Sequence, residues 1–310
     1  MKYESRDIFR EKPFVILFAL TAVTAWAFAF PMIKIGFSEF GIDNNDTGAK
    51  TLFAGIRFFM AGVITLLVYF LKKGEKKAVD TNKRGIFLLF VFSVVNTTLH
   101  YFFFYIGLSN LAGSRSAIID SLGTFLLIIF ACIIFKSEHM TLKKFLGCLL
   151  GFGGILAVNL NKDGIDLSML SIEGDGMLFM SALCSAFGGI LTRIATQRYD
   201  ALFATGTSLA LGGLFLIMAG IVSGGALKTV TVGGVAALIF LVLISAVGFS
   251  LYNRLISCNP VGKIAIFNSF IPVLGAVLSC LLLGETFHIK YIPAAVLVCA
   301  GVFIVNRQGD

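Results

Sequence analysis

Ten apolar stretches recur along the chain and are separated by shorter polar segments. Each stretch is roughly 20 residues long, which at about 1.5 Å per residue spans a hydrocarbon core of about 30 Å. The pattern predicts an all-α polytopic membrane protein with ten transmembrane helices. The predicted helices cover residues 14–34, 50–71, 86–106, 116–135, 143–160, 175–195, 200–222, 231–252, 262–283 and 289–306.

The third stretch, "GIFLLFVFSVVNTTLHYFFFYI", carries a polar stripe within a mostly Phe, Val and Leu sequence. Ser93, Asn96, Thr97 and His100 follow an i, i+3, i+4, i+7 spacing, which puts them on one face of a helix. In lipid such a face must meet protein or water. A hydrogen-bonded seam between helices and the wall of a central cavity both remain open. We favour the cavity wall, because an amide and an imidazole share the stripe near mid-membrane.

Three ionisable residues fall in one predicted layer of the membrane. Counted from the span midpoints, Arg57, His100 and Asp120 all lie about 5 to 9 Å outward of the bilayer centre. An unpaired charge at that depth is costly, so we expect an ion pair of Asp120 with Arg57, or with His100 as the alternative partner. Two roles for Asp120 stay open: a structural counter-ion, or a coupling residue that exchanges protons through His100.

Further candidates come from polar and aromatic positions in other helices. In the second half of the chain Tyr252 and Asn268 lie toward the inner side, and Pro272 leaves the carbonyl of Asn268 without its helical donor. In the first half Trp26 and Tyr105 add aromatic surface, which suits a partly apolar solute. The predicted substrate-binding residues are Trp26, Asn96, His100, Tyr105, Asp120, Ser121, Tyr252 and Asn268.

Composition and charge agree with a membrane protein. The chain is 57% hydrophobic and 14% charged, against about 25% charged residues in a typical soluble domain. The net charge of +8 suggests nucleic acid at first. However, with the N-terminus inside, about three quarters of the Lys and Arg residues fall on the cytoplasmic side. The distribution of charge therefore indicates that both termini are cytoplasmic. We expect no nucleic-acid partner. We expect the protein to lie among the lipids of the plasma (inner) membrane.

The sequence contains no recognisable catalytic or cofactor motif. The six cysteines lie inside predicted helices without a CxxC pair, so we expect neither a disulfide framework nor a metal site. There is no Walker A, HExxH or GxSxG motif. We therefore expect no cofactor, no catalytic residue and no enzyme activity. A membrane-embedded enzyme acting on a lipid or a small amphipathic substrate remains the alternative, and the oligomeric state stays open.

The chain contains an internal repeat. An offset of 147 residues places "GILAVN" (154–159) on "GVFIVN" (301–306), Glu138 on Glu285 and Tyr105 on Tyr252. Each half holds five predicted spans, and an odd number gives the second half the opposite orientation. The fold prediction is therefore two inverted five-helix repeats around a central cavity. Inverted repeats of this kind support two mirror-like states, as alternating access requires.

Several motifs resemble the EamA-type repeats of the drug/metabolite transporter (DMT) superfamily. They include "AWAFAFPMIKIGF", "GIRFFMAG", "IIFKSEHMTLKKFLGCLLGFGGILAVN" and "IPVLGAVLSCLLLGETF". The likeness covers roughly residues 14 to 306, and its most specific element is Gly284-Glu285 after the ninth span. Under this resemblance the chain divides into a cytoplasmic segment 1–13, a first repeat 14–160, an external linker 161–173, a second repeat 174–306 and a cytoplasmic tail 307–310.

The resemblance implies a bundle of ten helices in which the first, third, fourth, sixth, eighth and ninth line a central cavity. Many members of the superfamily export amino acids or other small metabolites. The implied function is a secondary exporter of such a small solute, with proton coupling left open. One departure concerns Pro272, whose first-repeat counterpart is Phe125, so we expect the fourth helix to bend less than the ninth. We expect Glu138 and Glu285 to act as turn and helix-start residues.

Overall fold

The computed structural model describes residues 8–72, 79–136, 138–158, 160–161, 164–165, 171–287, 289 and 291–306. Part of the predicted N-terminal segment 1–13, most of the predicted linker 161–173 and the predicted tail 307–310 lie outside the described residues. Within these ranges the fold is helical. It includes a 3₁₀ turn at Ile8–Arg10 and a two-residue antiparallel pair, Leu160–Asn161 with Gly164–Ile165.

A helix occupies each of the ten predicted stretches in the described part of the chain. The helices are α1 Lys12–Glu39, α2 Thr47–Leu71, α3 Lys83–Asn110, α4 Gly113–Ile134, α5 Leu142–Val158, α6 Ile172–Arg198, α7 Ala201–Val222, α8 Val232–Cys258, α9 Val261–Leu283 and α10 Tyr291–Asn306.

Eight of these helices, counted over the described residues, are long and apolar enough to cross a membrane. The other two, α5 with 17 residues and α10 with 16, are shorter. A span of about 17 residues lies at the lower limit for a bilayer-crossing helix. The membrane crossing of α5 and α10 therefore stays a prediction, whereas an all-helical, multi-pass architecture is established.

Side-chain caps fix where several helices begin. Asp46 Oδ1 accepts from the Ala49 amide at the start of α2 at 2.8 Å, and Thr231 Oγ1 accepts from the Gly234 amide at the start of α8 at 2.9 Å. These bonds satisfy amides that the first helical turn leaves without a backbone partner.

The tightest helix pair is α2 with α7, which run antiparallel with their backbones in contact. Each helix carries glycines seven residues apart, Gly48, Gly55 and Gly62 on α2 and Gly206, Gly213 and Gly220 on α7. A Cβ atom on Gly62 would lie 2.2 Å from the Ala210 amide nitrogen, and one on Gly55 would lie 2.5 Å from that of Ile217. Small residues on facing helices let backbones approach closely in lipid.

The remaining main contacts come in pairs that interconvert when each helix number is shifted by five. As α2 packs on α7, α5 packs on α10. Likewise α1 lies against α8 and α9, while α6 lies against α3 and α4. These contacts bring α1, α3, α4, α6, α8 and α9 around the centre of the bundle.

We expect Gly62→Val to destabilise the fold by about 3 kcal/mol or more, because the added carbons would overlap the α7 backbone. Gly153→Val is the matched control, since a Cβ atom at Gly153 in α5 has nothing within 4 Å and both changes replace a helical glycine with the same residue. Thermal unfolding of the detergent-purified variants measures the difference. Equal melting temperatures for the two variants would contradict the backbone contact.

Candidate functional site

A cavity of about 110 Å³ lies at the centre of the bundle. A few waters or a small solute fit in such a space. Its lining comes from the six helices that the resemblance implies, together with Arg57 of α2. The lining residues are Trp26, Ala29, Phe30, Arg57, Asn96, His100, Tyr101, Phe104, Asp120, Ser121, Gly123, Thr124, Leu127, Ser185, Gly189, Thr192, Phe249, Tyr252, Asn253, Ile256, Asn268 and Ile271.

Three helices that line the cavity depart from regular α-geometry beside it. A π-helical segment at Val94–Leu99 interrupts α3, a turn at Ser121 interrupts α4, and a 3₁₀ segment at Ile266–Ser269 interrupts α9. In a membrane, irregular backbone is tolerated where it is buried in protein or lines a polar cavity. α4 is interrupted although it has Phe125 where α9 has Pro272. That α4 bends less than α9 stays a prediction.

Arg57 is anchored by neutral oxygen acceptors. Its side chain is only 2% exposed. Nε donates to Ser245 Oγ at 2.8 Å and to the Leu241 carbonyl at 3.2 Å, while Nη1 donates to the Tyr105 hydroxyl at 2.9 Å. The two acceptors on α8 and the tyrosine on α3 hold the guanidinium and replace a carboxylate as its partner.

The predicted ion pair of Asp120 with Arg57 is therefore not formed, and neither is the alternative pair with His100. Asp120 is absent from the ion pairs of the described residues, and its Oδ1 atom is buried without a hydrogen-bond partner there. His100 Nδ1 instead donates to the Asn96 carbonyl at 3.3 Å, and its ring stacks on Tyr101 at 4.2 Å. All three predicted ionisable residues line one cavity, but they are not paired with each other.

The polar stripe of α3 lines the cavity with some of its side chains and contacts α7 with others. Asn96 and His100 reach the cavity. Thr97 Oγ1 lies 3.1 Å from Ser208 Oγ of α7, and Ser93 Oγ donates to the Leu89 carbonyl at 2.7 Å. Both interpretations left open by the sequence therefore apply to part of the stripe. Asn96 and His100 line the cavity, Thr97 and Asn96 bond Ser208 across the seam with α7, and the Ser93 hydroxyl bonds within α3.

A second polar group lies where α1, α8 and α9 meet. Asn268 Nδ2 donates to the Tyr252 hydroxyl at 2.8 Å, while Asn268 Oδ1 and Trp26 Nε1 are buried and have no hydrogen-bond partner among the described residues. The Trp26 ring lies 4.9 Å, centroid to centroid, from both Phe249 and Tyr252. This corner offers a hydrogen-bond donor, an acceptor and aromatic surface to a solute.

Seven of the eight predicted substrate-binding residues line the cavity. The eighth, Tyr105, lies behind the wall, where its hydroxyl accepts from Arg57. Ser121 lies on the wall, and its hydroxyl donates to the Ile118 carbonyl at 2.6 Å. Sequence reasoning missed Tyr101, Phe104 and Phe249, because the chain holds 32 phenylalanines and aromatic residues alone carry no positional signal. No group of three metal-ligating side chains occurs within the described ranges.

Comparisons with known proteins agree with this architecture. The EamA-like transporter family matches twice, over residues 13–160 and 172–307. The uncharacterized transporter YvbV of Bacillus subtilis is 26% identical over 83% of this chain and 82% of its own length. The WAT1-related protein At3g02690, chloroplastic, of Arabidopsis thaliana is 25% identical over 82% of this chain and 62% of its own length.

A solved crystal structure shares the fold. Its TM-score is 0.68 at 14% sequence identity, over 95% of this chain and 98% of the other. The two family matches together cover nearly all of the sequence. The chain therefore belongs to the EamA-like transporter family of the DMT superfamily and is an integral, multi-pass membrane transporter protein.

Proposed function

We propose that this protein is a secondary transporter, working as an exporter, that moves a small amino-acid-like or amphipathic solute by alternating access. The observation that carries this proposal is the central cavity, where the interruptions of three helices meet. Discontinuous helices with free polar groups at mid-membrane are typical of transporter binding sites. Here they present Asp120, Asn268 and His100 to one space.

Two inverted repeats, 14–160 and 174–306, form the proposed framework of the transport cycle. The antiparallel contact of α2 with α7 supports it, since the second helix of each half must then run in opposite directions. The packing pairs support it as well, because the contacts of α1 with α8 and α9 have counterparts in those of α6 with α3 and α4. The two separate family matches fall on the same halves.

The proposed orientation puts both termini in the cytoplasm of a cell whose plasma membrane holds the protein. The segments 1–13 and 307–310 are then cytoplasmic, and the linker 161–173 is external. The distribution of Lys and Arg supports this orientation. Under it Lys34 and Glu285 lie on the external side, and they pair at 3.5 Å.

The charges of the cavity suit a zwitterionic solute. Arg57 uses Nε and Nη1 in its protein bonds, and Nη2 has no bonded acceptor among the described residues. Asp120 Oδ1 is likewise unbonded there. A guanidinium can bind the carboxylate of an amino acid, and a carboxylate can bind its ammonium group. Trp26, Phe249 and Tyr252 would then contact an apolar side chain.

Solute counterflow in sealed proteoliposomes containing only this protein tests the proposal. We expect exchange of zwitterionic amino acids with apolar side chains. Carboxyl-amidated and deaminated analogues, which each lack one charge, should exchange about tenfold more slowly, because one charge-assisted hydrogen bond is lost. Absence of counterflow across a broad panel of small metabolites would contradict transport.

We expect Asp120→Asn to weaken solute binding by about 10- to 100-fold, because a carboxylate that binds ammonium is replaced by a neutral amide. If Asp120 also couples transport to protons, the same variant loses its dependence on a pH gradient. Asp43→Asn is the control, since Asp43 pairs with Lys228 in the exposed loop before α2. Unchanged affinity and unchanged gradient dependence in reconstituted Asp120→Asn would exclude Asp120 from both roles.

Trp26→Ala should lower the affinity for solutes with large apolar side chains about tenfold, because the indole supplies much of the aromatic wall. Small solutes such as glycine should be affected less. Phe28→Ala is the matched control on the same helix, since Phe28 packs on Phe240 at 5.8 Å and does not line the cavity. Equal losses for large and small solutes would show that Trp26 acts only through stability.

A further inference from the structure

Two of the three helices interrupted at the cavity, α4 and α9, run antiparallel and pack on each other along their length. Gly113–Asp120 of α4 contacts Phe270–Leu283 of α9, and the opposite ends, Leu122–Ile134 and Val261–Ala265, also meet. The first contact is close: a Cβ atom on Gly275 would lie 2.9 Å from that of Ala117. Both helices also line the cavity, α4 through Asp120 and α9 through Asn268.

A carboxylate that follows α9 caps the start of α4. Glu285 Oε1 accepts from the Gly113 amide at 2.7 Å, and Oε2 accepts from the Ser114 amide at 3.1 Å and from the Ser114 hydroxyl at 2.9 Å. Lys34 Nζ of α1 lies 3.5 Å from Oε1. Gly284, with a φ of 65°, makes the turn that brings the carboxylate there.

The opposite end of the pair has a matching contact. Glu138, which follows α4 and is 9% exposed, accepts from the Val261 amide at the start of α9 through Oε1 at 3.0 Å. Lys144 Nζ of α5 lies 3.7 Å from its Oε2 atom. Each of these two helices therefore leads into a carboxylate that accepts from at least one amide at the start of the other.

The two contacts occupy equivalent positions of the internal repeat but differ in strength. The offset of 147 residues relates Glu138 to Glu285, Ser114 to Val261 and Gly113 to Pro260. Pro260 has no amide hydrogen and Val261 has no hydroxyl, so Glu138 loses two of the three hydrogen bonds that Glu285 receives. Anions at helix N-termini are further stabilised by the helix dipole.

We propose that Glu285 and Glu138 are reciprocal latches that close the two ends of the cavity, and that release of one latch opens the cavity on its own side. The inference rests on the proposed alternating access and names the residues that gate it. The interruptions at Ser121 and at Ile266–Ser269 act as hinges, because each separates a latched half-helix from the rest. The stronger Glu285 latch makes opening at the Glu138 end, the proposed cytoplasmic side, the easier of the two.

Glu285 remains charged at neutral pH. Burial raises the pKa of its carboxyl, but the bonds from Gly113 and Ser114 and the charge of Lys34 outweigh burial and hold the pKa below its usual 4.5. The stabilisation from the ionised form is thus present above the usual pKa and is lost only as the pH falls through the lowered value. The proposed opening at neutral pH therefore does not include protonation of Glu285.

Side-specific thiol labelling tests the latches. A cysteine-free chain with the single reporter Thr124→Cys in the cavity is reacted with a membrane-impermeant thiol reagent from either face of sealed vesicles. We expect Glu285→Gln to raise the labelling rate from the external face about tenfold or more, and Glu138→Gln to raise it from the cytoplasmic face, because a charge-assisted contact is lost in each.

Two further variants, each of which changes a single hydroxyl group, test the latches if the glutamine variants do not fold. Ser114→Ala removes one bond from the stronger latch and should raise external labelling less than Glu285→Gln. Val261→Ser restores a hydroxyl to the weaker latch and should lower cytoplasmic labelling. Glu173→Gln, an exposed carboxylate at the start of α6, is the control and should change neither rate.

Unchanged labelling in all four latch variants, or increased labelling at the wrong face, would overturn the proposal. The measurement needs no substrate, so it is independent of the proposed transport. Side-specific labelling without solute flux would leave the latches standing and count against transport. Flux with unaltered labelling would count against the latches alone.

Discussion

The demand that polar groups be satisfied within a lipid environment governs this structure. Each polar group left without a partner in hydrocarbon costs several kcal/mol, so the apolar helices can carry charges and irregular backbone only where protein or water meets them. Arg57 meets this demand with acceptors from two other helices. The interrupted segments of α3, α4 and α9 meet it by lining one cavity.

The same demand explains why the sequence predicts the positions of the helices but not the contacts between them. In the described part of the chain each of the ten apolar stretches is helical, and eight of these helices are long and apolar enough to cross a membrane, because burial in lipid leaves a signal of roughly 20 consecutive residues. The partner of Arg57 could not be predicted, since Ser245 lies on α8 and belongs to the other half of the chain. A charge requires some partner, but hydropathy does not say which neighbouring helix supplies it.

The candidate site was predictable at the level of its residues and less so at the level of its contacts. Asn96, His100 and Asp120 stood out as polar groups in apolar surroundings, and all three line the cavity. Their contacts depend on local geometry that periodicity does not reveal, above all the π-helical segment in α3 and the turn at Ser121. The sequence predicts Glu138 and Glu285 as turn and helix-start residues, and the structure shows that each caps a helix of the other half.

Repetition and asymmetry coexist in this protein. The antiparallel α2–α7 contact and the exchanged caps follow a near-symmetric plan, yet Asp120 has Phe267 as its repeat counterpart, so the free carboxylate belongs to one half only. The proposed transport cycle requires, above all, two halves of opposite orientation around the cavity. Membrane-impermeant labelling of single cysteines placed at the two termini and in the 161–173 linker tests this most directly. We expect labelling of both termini from one face of the membrane and of the linker from the other. Termini labelled from opposite faces would contradict the inverted repeats.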